Sequence, residues 1–494
     1  MNIDFALLVP EFLLAGLAFV IFGVDLFLPD DKKSYLPYLG VAGLMAVIGS
    51  VFSLLGDEGS VYRGIFLVDE YAIFFKVFFP IVGIVMLLAS RDFVTKHLEH
   101  PGEFYGLVMV SVLAMMLMAS AAELLTGYIA LELLSFCLYV MAAYAKREAR
   151  SNEAGIKYIL IGAFSSGFLL YGISLIYGAV GTTTFTGIAE ALQGGDYIRT
   201  AFLAGLIFIV VGFGFKVVAV PFHMWAPDVY EGAPVPVTAY LAVASKAASF
   251  VLMLRLFATG FMPALDDWKV IIAAISALTM TVGNVVAISQ SNIKRLMAYS
   301  SIGHAGFIMV GIAALSESAS NAMMLYLVGY SATTFAAFLC IIIYYNLTGK
   351  EQIVDFAGLA ERSPMLALAL TVSLFSLAGL PFFAGFTIKF YLFTAAAREG
   401  LLWLAAIAMF NSLISVYYYL MVIKQMYMQP AQLPQGSATQ VERLKVPLVT
   451  TVLLALLVGV VFLVGIYPAP IVHLIEEATP LLFSNAATSL VSTP

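Results

Sequence analysis

Charged residues are scarce in this 494-residue sequence, at 11% of positions against 62% hydrophobic ones. Soluble domains carry roughly 25% charged residues. A soluble chain of this length would make about three domains, and none could cover its surface with so little charge. The shortage excludes a soluble protein and leaves a polytopic membrane protein. Basic runs are missing too: the net charge is −6 and no stripe of Lys and Arg forms, so the chain offers nucleic acid no electrostatic footprint. Cysteine is nearly absent. Cys137 and Cys340 each sit inside an apolar run, cannot build an iron–sulfur or zinc ligand set, and read as small hydrophobes in helices. No Walker A or HExxH motif occurs, and GFGFKV (212–217) lacks the third glycine of a dinucleotide fingerprint and follows no strand. NADH, flavin and nucleotide are therefore not expected to bind this polypeptide. The N-terminus has no basic region ahead of its first apolar run, which Asp4 and Glu11 interrupt. That run is expected to be a retained span rather than a cleaved signal.

Apolar runs are what the chain has in abundance. A helix crossing the hydrocarbon needs about 20 mostly apolar residues. Candidate spans centre near residues 16, 46, 80, 113, 134, 168, 210, 246, 278, 306, 333, 377, 412 and 456. The fold class is thus all-α and polytopic, with about 14 transmembrane helices. No hydrophilic stretch is long enough for a separate domain; residues 181–200 and 428–446 are the longest connections. Residues 1–494 are read as one integral membrane domain with four sub-parts: N-terminal helices (1–103), a first repeat (104–260), a second repeat (261–430), and a C-terminal loop with the last helix (431–494). Of the 24 Lys and Arg, 14 fall in the odd-numbered loops, and only Arg63, Arg199, Lys269 and Arg398 in the alternate ones. By the positive-inside rule the first set is cytoplasmic and both termini face the opposite side.

Six cations remain: Lys76, Lys157, Lys216, Lys246, Arg255 and Lys389, all within or at the edge of apolar runs. An ionisable residue there is costly unless paired or hydrated, which makes it a functional candidate. Two segments also read as broken helices. In GFGFKVVAVPFHMWAPDVYEGAPVP (212–236), Pro221, Pro227, Pro234 and Pro236 interrupt a spanning pattern; in SLAGLPFFAGFTIKFYL (376–392), Gly379, Pro381 and Gly385 do so. Interrupted spans in corresponding positions of two halves mark inverted repeats, so two such repeats, each with a broken helix, are expected.

Glu132 lies mid-span in LLTGYIALELLSFCLYVMAAY (124–144) without a charged partner at helical spacing. It reads either as a protonated, hydrogen-bonded carboxyl or as half of an ion pair that changes during a cycle. Lys216, just before the first break, is its natural partner, where freed backbone carbonyls and water can solvate an ammonium. A lysine out of water releases its proton more readily, and a nearby carboxylate holds that proton on, so moving the carboxylate away ejects it. Lys246, among small residues in AVASKAASF, and Lys389, just after the second break, fit the same chain of proton-holding stations. Snorkelling suits Lys157 and Arg255 better, and Lys76 fits either reading. His223 and His304 each read equally as proton relay or as hydrogen-bonded structural histidine.

PFHMWAPDVYEGAPVPVTAYLAVASKAASF (221–250), NIKRLMAYSSIGHAGFIMVG (292–311) and LAGLPFFAGFTIKFYLF (377–393) resemble the antiporter-like subunits of respiratory complex I. The likeness runs over nearly the whole chain. PDVYEGAP followed by Ser245–Lys246 is similar to the N-type branch of NADH-quinone oxidoreductase subunits. A lysine at 389, where the M-type has glutamate, and no long lateral helix of the L-type, agree with that branch. The resemblance implies a proton-translocating membrane-arm module in a bacterial inner membrane, with other membrane-arm subunits, lipids and protons as partners. NADH, FMN, iron–sulfur clusters and quinone would belong to partner subunits, with no cofactor here. Glu132, Lys216, Lys246 and Lys389 match the family's positions on the fifth, broken seventh, eighth and broken twelfth spans; His223, His304 and Lys157 match more loosely. The rival readings are a subunit of a multisubunit cation/proton antiporter, a hydrogenase-type membrane arm, and a non-conducting scaffold.

Overall fold

A computed structural model describes residues 5–56, 59–62, 64–430, 444 and 446–483. Among these residues, 13 helices are long and apolar enough to cross a membrane. A fourteenth crossing comes from two half-helices, Pro364–Ala378 and Ala384–Arg398. Each of the 14 span centres read from the sequence falls inside one of these helices. The loop charges Arg63, Arg443 and Lys445, and most of the 428–446 connection, lie outside the described residues.

Helices dominate because lipid offers the backbone no hydrogen-bond partner, so every segment must satisfy its own amides. Side chains stop them cleanly. Asp69 accepts from Ala72 N at 2.8 Å to start the third span (Glu70–His97), and Asn292 accepts from Lys294 and Arg295 to start the tenth (Ile293–Ala313). Gly181 and Gly349 end the sixth (Ala149–Val180) and eleventh (Glu317–Thr348) in left-handed conformations. A two-stranded hairpin, Gly59–Val61 against Phe66–Val68, joins the second and third spans. The 181–200 connection contains a helix, Phe185–Gly194, and short helices Ala469–Ala478 and Pro480–Phe483 follow the last span.

Burial sorts the spans into a centre and a ring. The eighth (Val235–Gly260), tenth and eleventh spans are 94–100% buried over their most apolar windows, whereas the thirteenth (Leu402–Met428) and fourteenth (Leu448–Ile466) are 33% buried. Membrane helices associate mainly through close van der Waals approach. A Cβ on Gly172 would sit 2.9 Å from Gly205 O across the sixth and seventh spans, and one on Gly283 only 2.5 Å from Gly303 N across the ninth and tenth. These contacts require glycine. Polar groups on the central spans are therefore sealed from lipid, and their partners must come from protein.

Both expected breaks are present. The seventh span (Arg199–Lys216) stops at Lys216, and helix resumes at Trp225–Gly232. The twelfth stops at Ala378 and resumes at Ala384. Of the three non-glycine residues with positive φ among the described residues, Val218 (61°) sits in the first break and Phe382 (74°) in the second. A β-branched or bulky residue in that region is strained, and such strain gathers at functional sites.

Candidate functional site

The fifth span (Leu124–Ala142) and the end of the seventh bring Glu132 and Lys216 together. Lys216 Nζ lies 3.0 Å from Glu132 Oε1, with the lysine side chain 4% exposed and the carboxylate side chain 14%. Two hydroxyls complete the centre. Lys216 Nζ donates to Ser135 Oγ at 2.6 Å, and Ser166 Oγ on the sixth span donates to Glu132 Oε1 at 2.6 Å. The ammonium also stands 5.9 Å and 5.8 Å from the ring centres of Tyr139 and Phe215. Glu132 is the partner the sequence names for Lys216; the freed carbonyls expected to help solvate it do not bond it. The carbonyls near this break are engaged elsewhere, Phe215 O accepting from Trp225 Nε1 at 3.1 Å and Gly214 O from Ala219 N at 2.7 Å.

Lys246 is 1% exposed and follows a π-helical turn, Leu241–Ser245. Its ammonium donates to both the carbonyl and the hydroxyl of Ser301 on the tenth span, and no acid lies within salt-bridge distance among the described residues. Tyr330 on the eleventh span donates to the same Ser301 hydroxyl at 3.0 Å. One turn along the tenth span, His304 bonds Tyr326 OH through Nδ1 at 2.7 Å, its ring 5.0 Å from that of Tyr330.

Lys389 shows what a helix break can do. Its Nζ donates to Leu377 O at 2.9 Å and Ala378 O at 3.2 Å, carbonyls at the end of the first half-helix that have lost their helical partners. Ser412 Oγ on the thirteenth span accepts at 2.9 Å, and the Phe307 ring centre is 5.0 Å away. Lys389 has no acid partner among the described residues either. Three buried lysines thus have three kinds of host: a carboxylate with hydroxyls, a serine with tyrosine behind it, and a pair of carbonyls.

The other sequence candidates lie apart from this series. The Lys157 side chain is 40% exposed and pairs with Glu153 at 2.7 Å and Asp228 at 2.9 Å, in keeping with a snorkelling lysine. Asp228 and Glu231 also hold Arg295, each at 3.0 Å. His223 is 8% exposed, its Nδ1 has no hydrogen-bond partner, and no bond joins it to a buried lysine among the described residues. Arg255 does not snorkel: it is 1% exposed and grips Asp69 with two bonds of 2.8 and 2.6 Å, stacked 4.7 Å over Tyr71. Lys76, fully buried, pairs with Glu11 at 2.8 Å. Lys294, read from sequence as a loop residue, is buried against Glu351 at 3.0 Å.

Sequence reading missed the hydroxyl partners Ser166, Ser301, Tyr326, Tyr330 and Ser412. Hydroxyls are too common in spans to single out, and their lysines lie one or more helices away. It also missed Asp69 as the partner of Arg255 and Glu11 as that of Lys76, because the six cations were not matched systematically to acids in or beside apolar runs. Among the described residues, no group of three or more His, Cys, Asp or Glu could hold a metal ion.

Residues 121–415 match the family described as NADH:quinone oxidoreductase/Mrp antiporter, TM. A NADH-quinone oxidoreductase subunit N of Trichlorobacter lovleyi is 42% identical over 437 residues, which is 87% of this chain and 89% of that one. A chain of respiratory complex I from Thermus thermophilus with bound aureothin superposes with a TM-score of 0.78 at 29% identity, covering 95% of this chain and all of the other. A chain of the Mrp complex from Dietzia superposes with a TM-score of 0.86, covering 99% of this chain and 100% of that one; at 17% identity it shows the fold alone.

Proposed function

This chain belongs to the NADH-quinone oxidoreductase subunit N family of antiporter-like membrane subunits, and on that premise we propose how its buried charges serve the complex. It is a membrane-arm subunit of an enzyme that couples electron transfer from NADH to quinone with ion translocation. Electrons move through partner subunits, which hold the flavin, the iron–sulfur clusters and the quinone. The work of this chain is proton transfer, in an inner membrane with both termini on the non-cytoplasmic side and its two broken helices in two inverted repeats.

The observation that carries the reading is the contrast between Lys216 and the next two lysines. Lys216 has a carboxylate at 3.0 Å; Lys246 and Lys389 rest on neutral oxygens. Two unit charges at that separation attract by about 5 kcal/mol at an effective dielectric constant of about 20. Carrying one charge against the membrane potential costs about 2.3 kcal/mol per 100 mV. Opening or closing the Glu132–Lys216 pair is therefore large enough to drive a proton onward. Protons enter from the cytoplasmic side, load Lys216 and Lys246, pass by way of Ser301, Tyr330 and His304 to Lys389, and leave on the far side. Quinone reduction acts on the series by changing the Glu132–Lys216 pairing.

The test is membrane-vesicle work on Lys216→Ala and Lys389→Ala, each assembled in the full complex, with NADH-driven quinone reduction and proton pumping recorded side by side. Normal assembly with a sharp fall in pumping or coupled electron transfer is the expected result. Wild-type levels of both activities would remove these lysines from the path and favour a scaffold.

A further inference from the structure

Among the cavities outside the lysine series is one built at the meeting of three helices. It opens where the start of the eleventh span, the end of the second half of the twelfth, and the short helix Ala469–Ala478 meet. Ser318 and Arg398 stand at helix ends, where a spanning helix meets the headgroups, and Leu325 and Phe390 lie further along the same helices. The helix Ala469–Ala478 suits that level: His473 and Glu476 are exposed and polar, while Ile475 is buried against the bundle. Phe390 and Tyr391, 57% and 40% exposed, stand at the cavity as aromatic side chains do at a membrane interface.

Its charges are of both signs and are not used on each other. Arg398 lines the cavity and makes no ion pair or hydrogen bond to a described residue; Glu476 lines it too, and its sole ion-pair partner there is the exposed His473 at 3.8 Å. The rest of the lining is mixed: Leu325, Phe390 and Val472 are apolar, and Ser318, Asn321 and Thr394 are polar. Such a site complements a molecule with an anionic group, a cationic group and a hydrocarbon tail. We propose that the cavity binds a zwitterionic phospholipid with a primary-amine headgroup, phosphatidylethanolamine. The phosphate meets Arg398, whose planar fork suits two phosphate oxygens. The ammonium donates to the Glu476 carboxylate, a hydrogen bond that a quaternary amine, having no N–H, cannot make. The acyl chains follow Phe390 and Leu325 into the bilayer. Glu476 selects against an anionic lipid, because it places a like charge beside a surplus headgroup negative charge.

The experiment uses the intact complex in nanodiscs, with a photoactivatable phosphatidylethanolamine and a matching phosphatidylglycerol as probes and peptide mapping as readout. The expected result is labelling of peptides from 384–400 and 469–478 by the first probe, competed by unlabelled phosphatidylethanolamine. Arg398→Ala lowers that labelling about tenfold, the loss of one charge-assisted contact. Glu476→Gln reverses the preference, so that phosphatidylglycerol labels the same peptides as strongly or more so. NADH-driven quinone reduction of each variant, held at wild-type level, reports that the complex is intact. Equal labelling of the wild type by both probes, labelling unmoved by either substitution, or no labelling there each overturns the proposal.

Discussion

Glu132→Gln isolates the energetic element of the proposed relay. Glutamine keeps the shape of the side chain and an oxygen for Ser166 to bond, but removes the charge that faces Lys216 at 3.0 Å. The lost attraction is about 5 kcal/mol at an effective dielectric constant of about 20. Measured losses on breaking buried pairs, about 3–5 kcal/mol, are of the same size. Ser135 at 2.6 Å still receives one ammonium hydrogen, so the site keeps a partner while losing its switch. Since about 1.4 kcal/mol is tenfold in rate, a tenfold fall in pumping uses under half of that energy, and tenfold or more is the expected loss. The assay is proton uptake and NADH-driven quinone reduction in vesicles, on complex whose content of this chain matches wild type. Glu132→Asp, which keeps the charge on a shorter arm, should fall between the two. Wild-type pumping by an assembled Glu132→Gln complex would refute the argument. So would equal loss in the Gln and Asp variants accompanied by loss of the chain from the complex, since that pattern marks a structural carboxyl.

Two further predictions concern the frame around the relay. Asp69→Asn leaves Arg255 unpaired at 1% exposure and should destabilise the chain by about 3–5 kcal/mol, read as lost incorporation into the complex. The double change Asp69→Leu with Arg255→Met should restore much of it, because an apolar pair carries no burial cost. Gly385→Ala would place a Cβ 1.6 Å from Ser376 O across the second break, whereas Gly167→Ala meets nothing within 4 Å. The first should displace Lys389 and abolish pumping; the second should leave assembly and pumping unchanged.

The two helix breaks show how far local chemistry reaches. Pro221, and Gly379 with Pro381, mark the two breaks because proline removes a donor and glycine accepts left-handed geometry. Their consequences differ in ways no local rule contains. At the second break Leu377 and Ala378 carbonyls receive Lys389. At the first, Lys216 meets the expected Glu132 and adds Ser135, while the Phe215 and Gly214 carbonyls are taken by Trp225 and Ala219. Arg255 likewise reads from sequence as a residue reaching for the interface, and only the packing of the third span beside the eighth supplies Asp69.

The sequence alone determined the class, the number of crossings, the positions of the breaks and most of the buried cations. Each follows from a property of a single segment: run length set by the hydrocarbon thickness, backbone chemistry, or the cost of a charge in lipid. Tertiary structure realised the Glu132–Lys216 pair, gave Arg255 its partner and left Lys246 and Lys389 on neutral oxygens. That depends on residues far apart in the chain, 84 positions for Glu132 and Lys216 and 186 for Asp69 and Arg255. Such pairs meet only once the helices have packed, and their energies depend on distances of a few ångströms that no periodicity encodes.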